Sequence, residues 1–423
     1  MAPTKDKMGR PIVVVTGVGV VTSLGAGKAD NWAKLTSGVS GIHAITRFPT
    51  DGLKTRIAGS VDFLGQPDCT AALSEQLADL AAEEAIAQSG IGKAGDFPGP
   101  LFLAVPPIEM EWPHRLAVGA RSGSNDTVTY SDLLRASDQF PAYHDRFLFG
   151  SVADHIAEKF GTRGSPISLS TACASGASAI QLGVEAIRRG DTDAALCIGT
   201  DGSVNPEAVI RFSLLSALST SNDNPQKAAR PFSKNRDGFV MAEGAGALVL
   251  ESYDAARARG ATILGVVEGC GEKTDAFHRT RSSPDGKPII ACIRNALEDA
   301  GLTPDDIDYV NAHGTSTPEN DKMEYLGCST VFGERISKLP ISSNKSMIGH
   351  TLSAAGAIEA VFTVLTLQNQ RMPPTVNYDV PDPAIPLDVV PNTARDATLK
   401  HAISNSFGFG GQNVSLVVGV EPA

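Results

Sequence analysis

The sequence predicts a layered α/β protein built from two related halves, residues 1–260 and 261–423. Three observations carry that reading. Short apolar, β-branched runs alternate with segments whose apolar residues fall at helical spacing, the pattern of strands covered by helices. The 42 glycines, set against 6% aromatic residues, point to close backbone packing and many tight turns. The halves also resemble each other at an offset of about 170 residues: PISLSTACASGASAIQLGVEAI matches PISSNKSMIGHTLSAAGAIEAVFTVL, and GFVMAEGAGALVLE matches SFGFGGQNVSLVVGVE. Such an offset is the duplication of a whole unit, not an array of repeats of roughly 20–50 residues.

At 423 residues the chain can bury a large core, and 42% hydrophobic with 20% charged residues is ordinary for a globular protein. A net charge of −11 without a basic run leaves nucleic-acid binding no electrostatic footprint, so an acidic partner needs a local basic patch. Six cysteines, at 69, 173, 197, 270, 292 and 328, have neither CxxC nor paired spacing. This argues against a disulfide framework or zinc site and for a reducing, cytoplasmic setting. The start, MAPTKDKMGRP, lacks the apolar core of a signal peptide. No stretch of about 18 apolar residues predicts membrane insertion; the best, 354–367, carries Glu359 and reads as a buried helix.

Residues 11–21, PIVVVTGVGVV, read as a buried first strand containing Thr16-Gly17-Val18-Gly19. Its glycines invite a dinucleotide reading, but the G-x-G-x-x-G spacing and a following acidic residue are missing, which favours packing. A short helix follows at 31–37, a loop-rich excursion at 36–60 and an amphipathic helix at 73–89. Between 94 and 150, prolines at 98, 100, 106, 107, 113 and 141 and the lack of a clean period predict an irregular, surface-covering cap. Helical pattern resumes at 150–160; then come a strand at 194–200, a helix near 206–217, a polar loop at 219–237 and a glycine-rich turn feeding a strand at 238–251. The second half opens with a strand at 262–272 and a helix at 288–300. A capping signal, Thr303-Pro304-Asp305-Asp306, precedes a strand at 307–312 that delivers His313.

Four segments carry candidate chemistry. In SPISLSTACASGASAIQLGVEAIRR an apolar run stops at Ser170-Thr171-Ala172-Cys173, and small residues open a helix with Ile180, Val184 and Ile187 on one side. Cys173 therefore sits on a strand-to-helix turn, where unpaired N–H groups favour an anion. Its thiol pKa is expected to be depressed and an adjacent oxyanion stabilised. A lone cysteine reads first as a small core hydrophobe. The other segments change that reading. NAHGTSTPENDKME presents His313, Thr315, Thr317, Asp321 and Glu324 at a strand end. SSNKSMIGH puts Lys345 and His350 on a turn that matches the Cys173 turn, and NSFGFGGQN holds Phe407 and Phe409 between glycines.

These motifs, in order from TGVGVVTSLG through TACASG, RPFSKNRDGFVMAEGAG, NAHGTSTPENDKME and NKSMIGH to NSFGFGG, resemble the elongating β-ketoacyl-[acyl-carrier-protein] synthases, condensing enzymes with the thiolase fold. The resemblance implies a five-layered αβαβα architecture and a decarboxylative Claisen condensation. Cys173 would take an acyl chain from an acyl-carrier-protein thioester, and malonyl-carrier protein would then supply an enolate. The amides of Cys173 and Phe409 would form the oxyanion hole, His313 and His350 would stabilise the enolate through Nε2, and Thr315 and Thr317 would hydrogen-bond the pantetheine arm. Lys345 is expected to pair with Glu324, either as a purely structural ion pair or with a direct catalytic part. Phe409 is expected to gate the acyl tunnel. The resemblance implies no metal, nucleotide or other resident cofactor, because phosphopantetheine arrives on the carrier protein. It implies a homodimer with the Cys-bearing strand near the interface.

The chain departs from the family after the strand near 101, where a glycine-rich stretch is replaced by LFLAVPPIEMEWPHRL and later FPAYHDRFLFGS. That region lines the acyl pocket in the family, partly across the dimer, so Ile108, Met110, Phe212 and Phe407 are the expected pocket residues and long or very long acyl chains the expected substrates. Asn344 stands where Thr is common and Gln412 where Thr or Ser is common. Carrier docking is expected at Arg211, Arg279 or Arg281. Two rival functions are a non-catalytic partner similar to chain-length factors, which lack the nucleophilic cysteine, and a thiolase. The thiolase would use a second-half cysteine as acid and base, yet none of Cys270, Cys292 and Cys328 lies in the GFGG loop.

Overall fold

The computed structural model describes residues 4–65, 67–122 and 128–421. On the path of the main sheet the first half places five strands, β1 (Val13–Thr22), β2 (Leu101–Ala104), β3 (Ile167–Leu169), β4 (Ala194–Asp201) and β5 (Gly244–Ser252). The second contributes β6 (Gly265–Thr274), β7 (Tyr309–Asn311), β8 (Ile341–Ser342), β9 (His401–Phe407) and β10 (Gln412–Gly419). The first five pair in the order β1-β5-β4-β2-β3 and the second five in the order β6-β10-β9-β7-β8. In both blocks the first two pairings are antiparallel and the last two parallel. This is the duplication that the internal self-similarity predicts. The blocks join where β1 meets β6, over Val13–Val15 against Gly265–Val267. Strands covered on both faces read as continuous apolar runs, which is why every residue of β1, β4 and β5 is buried.

Helices α1 (Lys28–Thr36) and α2 (Thr70–Ser89) precede β2, and α3 (Trp112–Arg121), α4 (Tyr130–Ser137), α5 (Pro141–Arg146) and α6 (Ser151–Phe160) follow it. The first half is completed by α7 (Ser175–Arg188), α8 (Pro206–Leu214) and α9 (Tyr253–Ala258). The second carries α10 (Lys287–Ala300), α11 (Pro318–Phe332), α12 (Lys345–Ile348) and α13 (Ala355–Asn369). Helix α2, backed by α6, covers the outer face of the first block. Helices α10 and α11 cover the outer face of the second, and α7 packs on α13 between the blocks. The result is the five-layered αβαβα arrangement of the thiolase fold, with one apolar cluster in the middle and one under each outer helical layer. Helix α13 is buried from Ala355 through Leu367, which accounts for a sequence apolar all round. Among the described residues no helix is long and apolar enough to cross a membrane.

Two close approaches require glycine. Gly17 and Gly19, the pair that invited a dinucleotide reading, lie in β1 against α2; a Cβ on either would stand 2.0 Å from the carbonyl oxygen of Ala85 or Ala81. At the centre, a Cβ on Gly176 would be 2.5 Å from the Ala357 nitrogen, and one on Gly356 would be 2.5 Å from the Ala177 nitrogen. This reciprocal contact lets the first turns of α7 and α13 touch, and it fixes the separation of the residues that precede them.

Residues 94–150 are not the irregular cap that their prolines predict. Apart from 123–127, which lie outside the described residues, the segment holds β2, α3, α4 and α5. Pro113 and Pro141 stand in the first turns of α3 and α5, where a missing N–H leaves no hydrogen bond unmade, so they start helices instead of breaking them. Thr129 and Asp132 close a capping box on α4. Elsewhere the boundaries move by a few residues: α1 begins at Lys28 rather than 31, α2 at Thr70 rather than 73, and α8 ends at Leu214 rather than 217.

Candidate active site

Between Leu169 at the end of β3 and Ser175 at the start of α7, the chain turns through Ala172 at φ +50°, the left-handed region that L-residues rarely adopt. The strain, about 1–3 kcal/mol, is offset by local hydrogen bonds. Thr171 N donates to Ser175 Oγ (2.7 Å), and that hydroxyl donates to Ala172 O (2.5 Å). Cys173 is carried next to this strained residue, buried at 8% exposure, with the Phe409 N–H directed at its sulfur. The GFGG backbone closes over the same turn: a Cβ on Gly408 would lie 3.2 Å from the Cys173 nitrogen.

His313 follows β7. Its amide and that of Gly314 donate to the two oxygens of Glu324 on α11 (2.8 and 2.7 Å), so this carboxylate shapes the backbone that presents the ring. His350 follows α12 and is fixed by donating its amide to Val240 O (2.7 Å). Its Nε2 lies 3.1 Å from Cys173 Sγ, and its ring meets His313 and Phe239 edge to face at 5.3 Å. Donor atoms of Cys173, His313 and His350 all lie within 4.8 Å of one another.

Lys345 does not pair with Glu324. Its ammonium forms an ion pair with Glu359 of α13 and approaches His313 Nδ1 at 3.4 Å. Glu324 is engaged by two amides, while Glu359, the one carboxylate in the apolar run 354–367, faces Lys345 across the central layer. An ammonium can only donate, so Nδ1 of His313 accepts and its proton sits on Nε2. Leu352 N–H donates to His350 Nδ1 (3.3 Å), with the same consequence. Both rings therefore carry their proton on Nε2, and that of His350 faces the sulfur. Burial first, and the charge of Lys345 second, hold both imidazoles well below the usual histidine value, which keeps them neutral at physiological pH.

The thiol is not depressed. Burial pushes Cys173 up to about 11, and loss of solvation outweighs the Phe409 amide and the Lys345 charge that favour the thiolate. Burial likewise raises Glu359 and Glu324 to about 7 each, against the pull of Lys345 on the first and of two amides on the second. The Cys-His-His cluster has the make-up of a metal site but the wrong surroundings for one. A ligating imidazole gives its lone pair to the metal and donates its other N–H to an acceptor. Here both Nδ1 atoms accept, so the cluster is arranged to donate hydrogen bonds to an oxygen.

A cavity of about 620 Å³ opens on this cluster, lined by Cys173, His313, His350, Thr315, Thr317, Phe212, Phe407 and Phe409. The hydroxyls of Thr315 and Thr317 are 2.8 Å apart. Ile108 and Met110 do not line it. Ile108 packs against the apolar cluster under α2 and α6, on the outer side of the sheet, and Met110 gives its carbonyl to Arg115. Of the expected docking arginines, Arg279 and Arg281 line the cavity, whereas Arg211 is turned to Glu109 (2.8 Å). None of Cys270, Cys292 and Cys328 lines it. Asn344 is buried behind Lys345, accepting from Asn311 Nδ2 (2.9 Å). Sequence reasoning missed Glu359 as the partner of Lys345 and Phe239 as the wall behind His350.

Residues 10–256 match the family described as Beta-ketoacyl synthase, N-terminal domain, and residues 264–379 match Beta-ketoacyl synthase, C-terminal domain. The chain belongs to the β-ketoacyl synthase family. This β-ketoacyl synthase is 37% identical over 420 residues to the 3-oxoacyl-[acyl-carrier-protein] synthase 2 of Coxiella burnetii, covering 96% of this chain and 98% of that one. It is 39% identical over 422 residues to the enzyme of the same description from Vibrio harveyi, covering 97% and 99%. It is also 37% identical over 414 residues to the tetracenomycin polyketide synthase ketoacyl synthase alpha subunit of Streptomyces glaucescens, covering 94% and 95%. Among solved structures, a β-ketoacyl synthase from Burkholderia phymatum superposes with a TM-score of 0.84 at 34% identity, over 97% of this chain and 100% of that one. A type II PKS acyl-carrier protein in complex with its ketosynthase bound to the hexaketide gives 0.86 at 33%, with the same coverage. As a β-ketoacyl synthase the protein is an acyltransferase.

Proposed function

We propose that this β-ketoacyl synthase joins an acyl chain, held as a thioester on Cys173, to malonyl-[acyl-carrier protein] by decarboxylative Claisen condensation in fatty-acid elongation. The observation that carries the reading is the convergence of the Cys173 sulfur, at 3.1 Å from His350 Nε2, with a second neutral imidazole in one cavity. In the first step the sulfur attacks the acyl thioester carbonyl. The developing oxyanion is held by the Cys173 and Phe409 amides, each such donor contributing about 3–4 kcal/mol. The carrier thiolate leaves with the cysteine proton. Exchange between similar sulfurs is close to thermoneutral, which suits a cysteine to the task. Because burial keeps the resting thiol protonated, the His350 N–H and the α7 amides act on the anion as it forms.

Malonyl thioester then places its carbonyl oxygen between the Nε2–H groups of His313 and His350. Loss of CO2 leaves an enolate, which neutral N–H donors stabilise without protonating its carbon. The carbanion attacks the acyl-Cys173 carbonyl, the tetrahedral intermediate collapses, and the cysteine thiolate leaves and takes a proton from water. The products are β-ketoacyl-carrier protein and CO2. Thr315 and Thr317 bind the pantetheine arm, no resident cofactor takes part, and Phe409 gates the acyl tunnel. The partner is an acyl-carrier protein in its acyl and malonyl forms, and the setting is cytoplasmic.

A homodimer through β3 is part of the proposal. This strand ends the sheet with Ile167 44% exposed, and the neighbouring cap leaves Trp112, Leu116, Tyr130, Leu134 and Leu148 in solvent. Such an unprotected edge beside an apolar surface favours association. The preference for long or very long acyl chains rests on the divergent cap reaching the pocket across the dimer, while Phe212 and Phe407 line this chain's own cavity. A non-catalytic role akin to chain-length factors would leave the cysteine, two neutral imidazoles and the Lys345–Glu359 pair without use. Mass spectrometry of intact protein after incubation with mixed acyl-carrier proteins tests the reading. The wild type should gain one acyl group and Cys173→Gln none. A wild type that neither self-acylates nor condenses without a second subunit would assign the scaffold role instead.

A further inference from the structure

Most arginines of this acidic chain are engaged with carboxylates, as Arg47 is with Glu243 and Arg236 with Asp382. Arg279 and Arg281 are different. Both are exposed, both line the cavity that ends on Cys173, and neither guanidinium has an ion-pair or hydrogen-bond partner among the described residues. Their segment is nonetheless held in place. The Asp275 carboxylate accepts the amides of Phe277 (2.9 Å) and Ser283 (2.7 Å), Asp275 N donates to Gly411 O (2.7 Å), and Arg279 O accepts from Gly410 N (2.8 Å). The other charged lining residues are Asp237, Asp275 and Glu319. Asp237 accepts from Ser219, Thr220 and Ser221, and Asp275 is occupied as described, which leaves Glu319 facing solvent at the start of α11. The free cationic charge of the cavity is thus confined to one lip.

We propose that Arg279 and Arg281 form a binding site for the phosphodiester at the outer end of the phosphopantetheine arm, so that the enzyme grips the arm itself as well as the protein that carries it. This rests on the condensation reading, which places the arm's sulfur at Cys173 and its amides beside Thr315 and Thr317. Between sulfur and phosphate the arm is uncharged, so the phosphate is its one ionic handle. A guanidinium matches two phosphate oxygens at once, and a pair of them engages the group without a metal.

The test measures transfer of one acyl chain to Cys173 from acyl-carrier protein, from acyl-phosphopantetheine and from acyl-pantetheine, which lacks the phosphate. The Arg279→Ala/Arg281→Ala variant is expected to raise the half-saturating concentration of acyl-phosphopantetheine about tenfold or more, as loss of charge-assisted bonds does. Acyl-pantetheine and the saturating rate should be unchanged, and inorganic phosphate should compete with acyl-phosphopantetheine in the wild type alone. An equal effect on acyl-pantetheine, an effect confined to the carrier protein, or no effect would each overturn the site. A wild type acylated by none of the three donors would remove the condensation reading. Calorimetric titration of phosphopantetheine into both proteins then decides the site by itself: binding lost in the variant upholds it, and equal binding overturns it.

Discussion

Replacing Lys345 by Met tests the chain from Glu359 through Lys345 to His313, because Met fills the stem of the side chain and removes only its charge. Glu359 is 1% exposed, and one of its oxygens already lacks a partner. Removing one member of a buried ion pair costs about 3–5 kcal/mol, a large part of the stability of a folded domain. The sign of the pH dependence follows from the direction of the shift. A carboxyl raised from its ordinary value to about 7 contributes stability at low pH that is lost as pH rises toward 7. Without the ammonium the Glu359 carboxyl is raised further, so the gap between variant and wild type should widen above pH 7. The chemical effect is separate. His313 loses the donor that fixes its proton on Nε2, and forfeiting one of two enolate donors, at about 3–4 kcal/mol, is roughly a 10²–10³-fold loss of rate. Release of CO2 from malonyl-carrier protein should fall by that factor, whereas self-acylation, which uses His350 and the backbone amides, should stay within about tenfold. The double variant Lys345→Met/Glu359→Gln should recover stability to urea without recovering decarboxylation. Wild-type CO2 release from Lys345→Met would refute the tautomer argument.

Alkylation of Cys173 by iodoacetamide should climb through about pH 8 to 10 without levelling off, since the thiolate is the reactive form and burial holds the thiol at about 11; a plateau below pH 8 would mean that the amides prevail. Cys173→Gln should abolish condensation and still release CO2 from malonyl-carrier protein, because both histidines and Lys345 remain; loss of both activities would give the cysteine a part in decarboxylation. Gly176→Ala should lower the melting temperature, equivalent to about 1–3 kcal/mol of overpacking against Ala357, despite alanine's higher helix propensity. Acyl-carrier proteins of graded length should give activity rising beyond ordinary C8–C14 primers, and a maximum within that range would remove the long-chain preference.

The features legible in the sequence were those written locally. The strand-to-helix turns of Cys173 and His350, the histidine-bearing strand end and the duplication all sit in contiguous motifs whose spacing survives folding. What escaped depends on partners distant in the chain. Glu359 was visible as a lone carboxylate in an apolar helix, but only the crossing of α13 and α12 puts it on Lys345. The thiol was expected to be acidic from its own turn, yet burial raises it, and the GFGG loop that closes over that turn lies more than 200 residues later. Ile108 and Met110 were assigned from the family's pattern, and within this chain Ile108 packs in the outer cluster while neither lines the chain's own cavity, since that lining is decided by which face of the sheet each segment covers. The prolines of the cap mark helix starts or helix breaks according to the residues that follow them, and those residues carried too weak a period to decide.

The reciprocal contact of Gly176 and Gly356 has a bearing on how such a catalyst divides its labour. Two identical units docked at that crossing would offer two equivalent turns, each obliged to be attacking group and hydrogen donor in the same conformation. Written into one polypeptide, the twin turns are free to diverge, and here one has kept a sulfur while the other has kept an imidazole. Neither half owns a reaction by itself; the chemistry belongs to the seam between them.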